Sequence, residues 1–272
     1  MTDRLLSTLY SADTVERWER EKTMRLSSGI WGREPTLRYL REQVLEAGHM
    51  VVDLGTGGGF PAYQMSRVVG PTGRVIGIDM NEVMIAAARA HFRADNLVFQ
   101  LGDMTGKLPI ECGSVDAVTS FMVLHNVMLD QISLMFREAA RILKPDASAV
   151  VLTMHPDAFD SDWELDFLWY DGRALQQYRE TFDREGLLIP GRAKNSNGGE
   201  NEILSIYHTR QNIVDAAWWA DLELAEERAL WIDDATAAES FGANANRRFP
   251  ATPMYWMLHL KKGAQRSIPN GC

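Results

Sequence analysis

In the stretch VVDLGTGGGF three glycines alternate with other residues, and an aspartate stands two positions ahead of the first: Asp53, Gly55, Gly57 and Gly59. Glycine is entropically costly wherever it is used, so the cluster points to a backbone that must turn tightly or admit a ligand closely. Two ligand classes compete for it. A dinucleotide fingerprint needs Gly-x-Gly-x-x-Gly opening a helix, so that pyrophosphate rests on the helix N-terminus. Counted from Gly55, its third glycine falls on Phe60, and the register fails. An acidic residue inside the turn would repel a pyrophosphate, yet it suits a ligand bearing an ammonium and a sulfonium. S-adenosylmethionine is such a ligand, and it asks the loop for close backbone approach rather than anion binding. Asp79 closes VIGID, where a carboxylate can accept both ribose hydroxyls, a device that dinucleotide folds share. In LGDM, Asp103 can take an adenine amino group while Met104 lies on the ring.

These acids need strand ends to hold them, and the pattern supplies strands. MVVDLG, RVIGIDM, LVFQLGDM, SVDAVTSFMV and SAVVLTMH read as five buried strands, separated by the helical stretches FPAYQMSRVV, NEVMIAAARAHFRA and ISLMFREAARIL. Strands joined by helices at this spacing predict a parallel sheet covered on both faces. Open α/β sheets bind ligands at the carboxyl ends of such strands. A helix over EPTLRYLREQVLEAG precedes the sheet, with Pro35 at its start and Gly48 as its stop. After His155 the rhythm breaks into an aromatic-rich stretch. Patterning then returns in EILSIYH, RQNIVDAAWWADL, ELAEERALWI and MYWMLHLKK. The expected organisation is an N-terminal helical arm (1–48), a core (49–156), an aromatic-rich insertion (157–202), the rest of the core sheet (203–262) and a tail (263–272).

In this order the motifs resemble those of the class I S-adenosylmethionine-dependent methyltransferases. VVDLGTGGG looks like the family's first motif, VIGIDM its second, LGDM the acidic turn after its third strand, SVDAVTSFMVLHNV its fourth, and EAARILKPDASAVVLTMH the helix–loop–strand that follows. The resemblance implies a doubly wound, mostly parallel, Rossmann-like sheet of seven strands, with the insertion before the last two. It implies cofactor contacts from Asp53, Gly55, Thr56, Gly57, Gly59, Asp79, Met80, Asp103, Met104 and Phe121, with S-adenosylhomocysteine as the product. MHPDAF, YHTRQNIVDA and RRFPATPMYWMLHLKK are similar to bacterial small-molecule members, which act on natural-product scaffolds and quinone precursors. RLSSGIWG is similar to the quinone C-methyltransferases, but FMVLHNV departs from their pattern. The expected acceptor is a small apolar or aromatic molecule, methylated on carbon, oxygen or nitrogen. The rivals are a quinone or isoprenoid C-methyltransferase, a nicotinamide-dependent oxidoreductase, and a cofactor-binding protein without turnover.

Methyl transfer to a hydroxyl or amine calls for a base. His155, at the end of the fifth strand, and His208, after the insertion, are the candidates by position. The structural alternatives are a turn-stabilising hydrogen bond for His155 and a helix N-terminal contact for His208. His125 follows the fourth strand, where the family often carries a polar residue without acid–base duty, and packing at a helix start is expected. Trp163, Trp169 and Tyr170 are candidates for an acceptor-pocket wall, since aromatic faces stabilise developing positive charge. Tyr10, Trp18 and Trp31 of the arm join them in an expected lid.

The totals set limits. With 272 residues, 46% hydrophobic and 24% charged, the chain suits one large α/β domain with an insertion. A formal net charge of −9 without a basic run disfavours nucleic acid. The cysteines, Cys112 and Cys272, are expected to form neither a disulfide framework nor a metal site, which fits a reducing cytoplasm. No metal and no membrane association are expected; the oligomeric state is open, with the arm as the candidate surface for a homo-oligomer.

Overall fold

The computed structural model describes residues 32–160, 163–165, 168–170, 185–194, 200–231 and 252–263. The apolar runs read from the sequence become β1 (Met50–Leu54), β2 (Arg74–Asp79), β3 (Leu97–Leu101), β4 (Val115–Phe121) and β5 (Leu143–Met154). Between them lie α2 (Phe60–Val69), α3 (Glu82–His91) and α4 (Leu129–Ile142), and α1 (Glu34–Gln43) precedes them. β1, β2, β3, β4 and β5 pair in parallel. Beyond the insertion come α5 (Arg210–Trp219), β10 (Leu222–Leu230) and β11 (Tyr255–Lys262). β11 is antiparallel to both β5 and β10. The seven strands run in the order β10-β11-β5-β4-β1-β2-β3. The chain thus builds outward from β1 to β3, then returns to lay β4 on the other side of β1. That reversal opens a crevice at the carboxyl ends of β1 and β4, the place where doubly wound sheets take ligands.

Strand alternation sorts the core into two layers. Val51, Val75, Ala117, Val150 and Leu152 face α1, α2 and α3, and pack with Leu40, Met65 and Ile85. Val52, Ile76, Val118, Val151 and Leu258 face α4 and α5, and pack with Met135, Phe136 and Ile213. α1 is fastened to the antiparallel edge by a polar chain. The Tyr39 hydroxyl donates to Glu226 Oε2 at 2.8 Å and lies 2.7 Å from His259 Nδ1, while His259 Nε2 lies 2.9 Å from the Ser148 hydroxyl.

The insertion is not a loop. β6 (Trp163–Leu165), β7 (Leu168–Tyr170), β8 (Leu188–Lys194) and β9 (Glu200–Ile206) form a second, fully antiparallel sheet in sequence order. This corrects the expected boundary at residue 203, because EILSIY pairs with β8 and the core sheet resumes only with α5. A half-buried strand reads the same whichever sheet it joins, so periodicity could not place it. A further correction concerns Cys112, which is disulfide-bonded, with its partner outside the described residues. Among the described residues no helix is long and apolar enough to cross a membrane.

Candidate active site

The glycine loop lies between β1 and α2, and its backbone explains its composition. Gly55, Gly57 and Gly59 all have positive φ, at 70°, 53° and 86°, a region closed to most side chains. Their surroundings differ. A Cβ at Gly55 would run into the Val123 side chain beyond β4, and one at Gly59 would come within 2.5 Å of Phe99 Cζ. At Gly57 a Cβ would meet nothing within 4 Å. Two glycines therefore permit packing, and the third leaves an open face on the loop.

Asp79 ties this loop to the next strand end. Its Oδ2 accepts the Gly57 amide at 2.9 Å, and its Oδ1 accepts the Asn81 amide at 2.9 Å. Burial raises its pKa against the pull of those amides. Each oxygen keeps a lone pair for a further donor. Met80 beside it is 71% exposed, available as a flat apolar cover. Asp103 caps its own turn, with Oδ1 accepting the Thr105 amide and hydroxyl, both at 2.8 Å. Met104 packs at the border of the α4 layer. Phe121 is buried in the opposite layer.

Asp53 is the most constrained of these groups. It is fully buried, opposite Thr119 in the β1–β4 register, and its Oδ1 accepts the Thr119 hydroxyl at 2.7 Å. Burial pushes its carboxyl up to about 6, against the pull of the Thr56 and Thr119 hydroxyls and of the Arg33 guanidinium. Its Oδ2 feels the pull of the nearby Thr56 hydroxyl, yet neither atom reaches a hydrogen bond of normal geometry among the described residues. A buried acid with an unused oxygen is suited to an incoming cation. Arg33, at the start of α1, adds a guanidinium within electrostatic reach of the same carboxylate. An acid and a guanidinium within electrostatic reach of each other match the ammonium and carboxylate of an amino-acid zwitterion. Sequence reading missed Arg33, because α1 is remote from the glycine loop along the chain. It missed Thr119 because only strand register reveals that residue as the partner of Asp53.

Both histidines expected as bases make contacts within the fold. His155 Nδ1 accepts the Asp157 amide at 3.2 Å, and burial lowers its pKa. The neutral ring then carries its proton on Nε2, so the other nitrogen is a donor. His208 is buried, with Nε2 2.8 Å from the Val127 carbonyl and Nδ1 against the Glu185 carboxylate. Both of its nitrogens are thus engaged within the fold. Glu185 also accepts the Thr209 amide and the Asn212 side-chain amide, each at 2.9 Å. Burial alone would raise Glu185, but these donors outweigh it and hold it below the usual range. His208 is thus a brace joining the base of the second sheet, the β4–α4 turn and α5. The turn-stabilising and helix-start readings are the ones the geometry supports. Tyr10, Trp18 and Trp31, with the side chains of Trp163, Trp169 and Tyr170, lie outside the described residues.

A methyltransferase-domain family pattern matches residues 51–146. That span begins in β1 and ends in β5, and contains the glycine loop with all three carboxylates. The matched span is that of a methyltransferase domain. Among curated proteins, the chain is 34% identical over 123 residues to an arsenite methyltransferase of Halobacterium salinarum, covering 44% of this chain and 31% of that protein. It is 36% identical over 113 residues to a demethylmenaquinone methyltransferase of Lactococcus lactis, covering 40% of this chain and 44% of that one. The chain thus spans less than half the length of these relatives. An S-adenosylmethionine-dependent methyltransferase structure from Mesorhizobium loti superposes with a TM-score of 0.54 at 21% identity, covering 84% of this chain and 96% of that one. That likeness extends the methyltransferase fold over the antiparallel end of the sheet.

Proposed function

We propose that this chain transfers a methyl group from S-adenosylmethionine to a small apolar or aromatic molecule of the natural-product or quinone-precursor type. The observation that carries the reading is Asp53: a sealed carboxylate with an unused oxygen, beside a loop whose Gly57 face is open. The residues present fit the cofactor. Asp53 and Arg33 would take its ammonium and carboxylate, Asp79 its ribose hydroxyls, and Asp103 with Met80 its base. When bound, S-adenosylmethionine supplies a methyl on a cationic sulfur; the carbon–sulfur bond breaks as the bond to the acceptor forms, leaving neutral S-adenosylhomocysteine. The chain's own task is then orientation and exclusion of water, which alone accounts for large rate gains. The second sheet, set between β5 and α5 at the crevice side of the chain, is the proposed source of the acceptor pocket. The acidic chain, at net charge −9, argues against nucleic acid as acceptor.

A quinone-type acceptor is the more specific variant of this reading, and the likeness to a demethylmenaquinone methyltransferase favours it. The cofactor half is tested by calorimetric titration with S-adenosylhomocysteine and with NADH. The expected result is binding of the former, lost in Asp79→Ala, and none of the latter. Binding of NADH with no response to S-adenosylhomocysteine would refute the reading.

A further inference from the structure

The turn after β4 holds a group that the proposed chemistry has not used. Val123 packs against Gly55 of the cofactor loop, and Leu124–Asn126 form one 3-10 turn directly after it. The turn is rigid. Met122 stands at φ 61°, its amide donating to the Leu152 carbonyl at 2.6 Å. Asn126 returns its side-chain amide to the Met122 carbonyl at 3.1 Å and its backbone amide to Val123 at 2.8 Å. Behind the turn, the His208 brace holds the Val127 carbonyl.

One polar atom of this turn is left over. His125 Nδ1 is sealed from solvent and has no hydrogen-bond partner among the described residues. Folded chains rarely keep such a nitrogen unless a partner arrives from outside. Asp53 Oδ2 and the Thr56 hydroxyl are in the same condition, and both belong to the crevice that the cofactor fits. The Gly55–Val123 contact brings the His125 turn to the rim of that crevice. Burial and the neighbouring His208 hold the ring neutral, with its pKa pushed down to about 3. A neutral ring keeps one nitrogen unprotonated and able to accept a hydrogen bond, and the low pKa rules it out as a proton store.

We propose that His125 Nδ1 accepts a hydrogen bond from a hydroxyl or N–H of the methyl acceptor, and so selects acceptors that carry a donor beside an apolar or aromatic body. This rests on the methyltransferase reading and narrows it. A bare hydrocarbon would leave the nitrogen unpaired in the closed complex. A phenol, hydroquinone or aromatic amine satisfies it and is turned to face the cofactor crevice. Sites built around one buried hydrogen bond discriminate strongly against analogues lacking the donor.

The test uses the full chain saturated with S-adenosylhomocysteine and two matched probes, 1-naphthol and naphthalene. Binding is followed by titration and by 15N NMR of the histidine side chains, with the His125 signals assigned by their loss in a variant. The expected result is that 1-naphthol moves the His125 Nδ1 resonance and binds about tenfold more tightly than naphthalene. In His125→Leu that preference vanishes while S-adenosylhomocysteine binds as before. In His125→Asn, whose side-chain oxygen stands near the position of Nδ1, much of the preference returns. If the leucine variant does not fold, the wild-type NMR response and the asparagine variant decide. Equal affinities for the two probes, or an unmoved Nδ1 resonance at the solubility limit of 1-naphthol, overturn the inference while S-adenosylhomocysteine binding leaves the methyltransferase reading standing. Failure to bind S-adenosylhomocysteine removes both.

Discussion

Asp53→Asn separates the stability of this chain from its proposed ligand. The folded-state pKa of Asp53, about 6, lies above its unfolded value of 3.8. The folded chain therefore holds more protons than the unfolded chain between those values. Stability falls as pH rises through that window and levels off above it. A gap of about two units corresponds to roughly 3 kcal/mol of ionisation cost near pH 7. Asparagine removes the charge and keeps an oxygen for the Thr119 hydroxyl. Its new N–H groups sit where Oδ2 has no partner among the described residues, and an unpaired donor gives back about 1–2 kcal/mol. The net expectation is that the unliganded variant is more stable by about 1–2 kcal/mol near pH 7, or roughly 2–8 °C for a chain of this size. The gain should shrink or reverse near pH 4, where the wild-type carboxyl is already protonated. S-adenosylhomocysteine should bind the variant about ten to a hundredfold more weakly, since a charge-assisted bond is lost. Scanning calorimetry at the two pH values, with and without ligand, reads all three effects. A variant less stable than wild type near pH 7, or one with the same difference at both pH values, would refute the assignment of Asp53 as a charge held in waiting.

The other expectations concern the loop and the brace. Gly57→Ala and Gly59→Ala both force alanine to positive φ, but only the second drives its Cβ into Phe99. Gly57→Ala should cost about 1–2 kcal/mol of stability by thermal melting while sharply weakening S-adenosylhomocysteine. Gly59→Ala should compromise folding itself. His208→Ala leaves the Val127 carbonyl and one Glu185 oxygen short of a donor, and should destabilise by about 2–4 kcal/mol in denaturant melts. A true base would instead show an altered pH–rate profile at unchanged stability.

Much of this was legible in the sequence because local and global signals agreed. The five parallel strands, the glycine turn and the three carboxylates follow from short apolar runs ending in acid or glycine, and the structure keeps all of them. α2, read as FPAYQMSRVV, is the helix Phe60–Val69. The failures share one physical cause: they depend on pairing between distant segments. EILSIY alternates like any half-buried strand, so its membership in the second sheet needed β8 to declare it. The contacts of His208 were not legible because its partners, Glu185 and Val127, are 23 and 81 positions away. His125 was set aside as packing, since no sequence pattern reveals a nitrogen without a partner. Arg33 precedes the loop by a whole helix, and only the fold brings its charge to Asp53.

The strand order also governs how this chain must be made. β11, the partner that covers the outer edge of β5, is the last of the described strands to be synthesised, and the whole insertion separates the two. At ordinary translation speeds the ribosome needs on the order of ten seconds to cross that interval. Throughout it, the β5 edge, rich in valine and leucine, stands with open amides and carbonyls, a template for any other nascent strand. The cofactor half can assemble early, yet it remains unsealed until Tyr255–Lys262 slides in between β5 and β10. Any chain cut short before that strand carries an intact glycine loop beside an adhesive edge, so β11 is what closes the exposed side of β5.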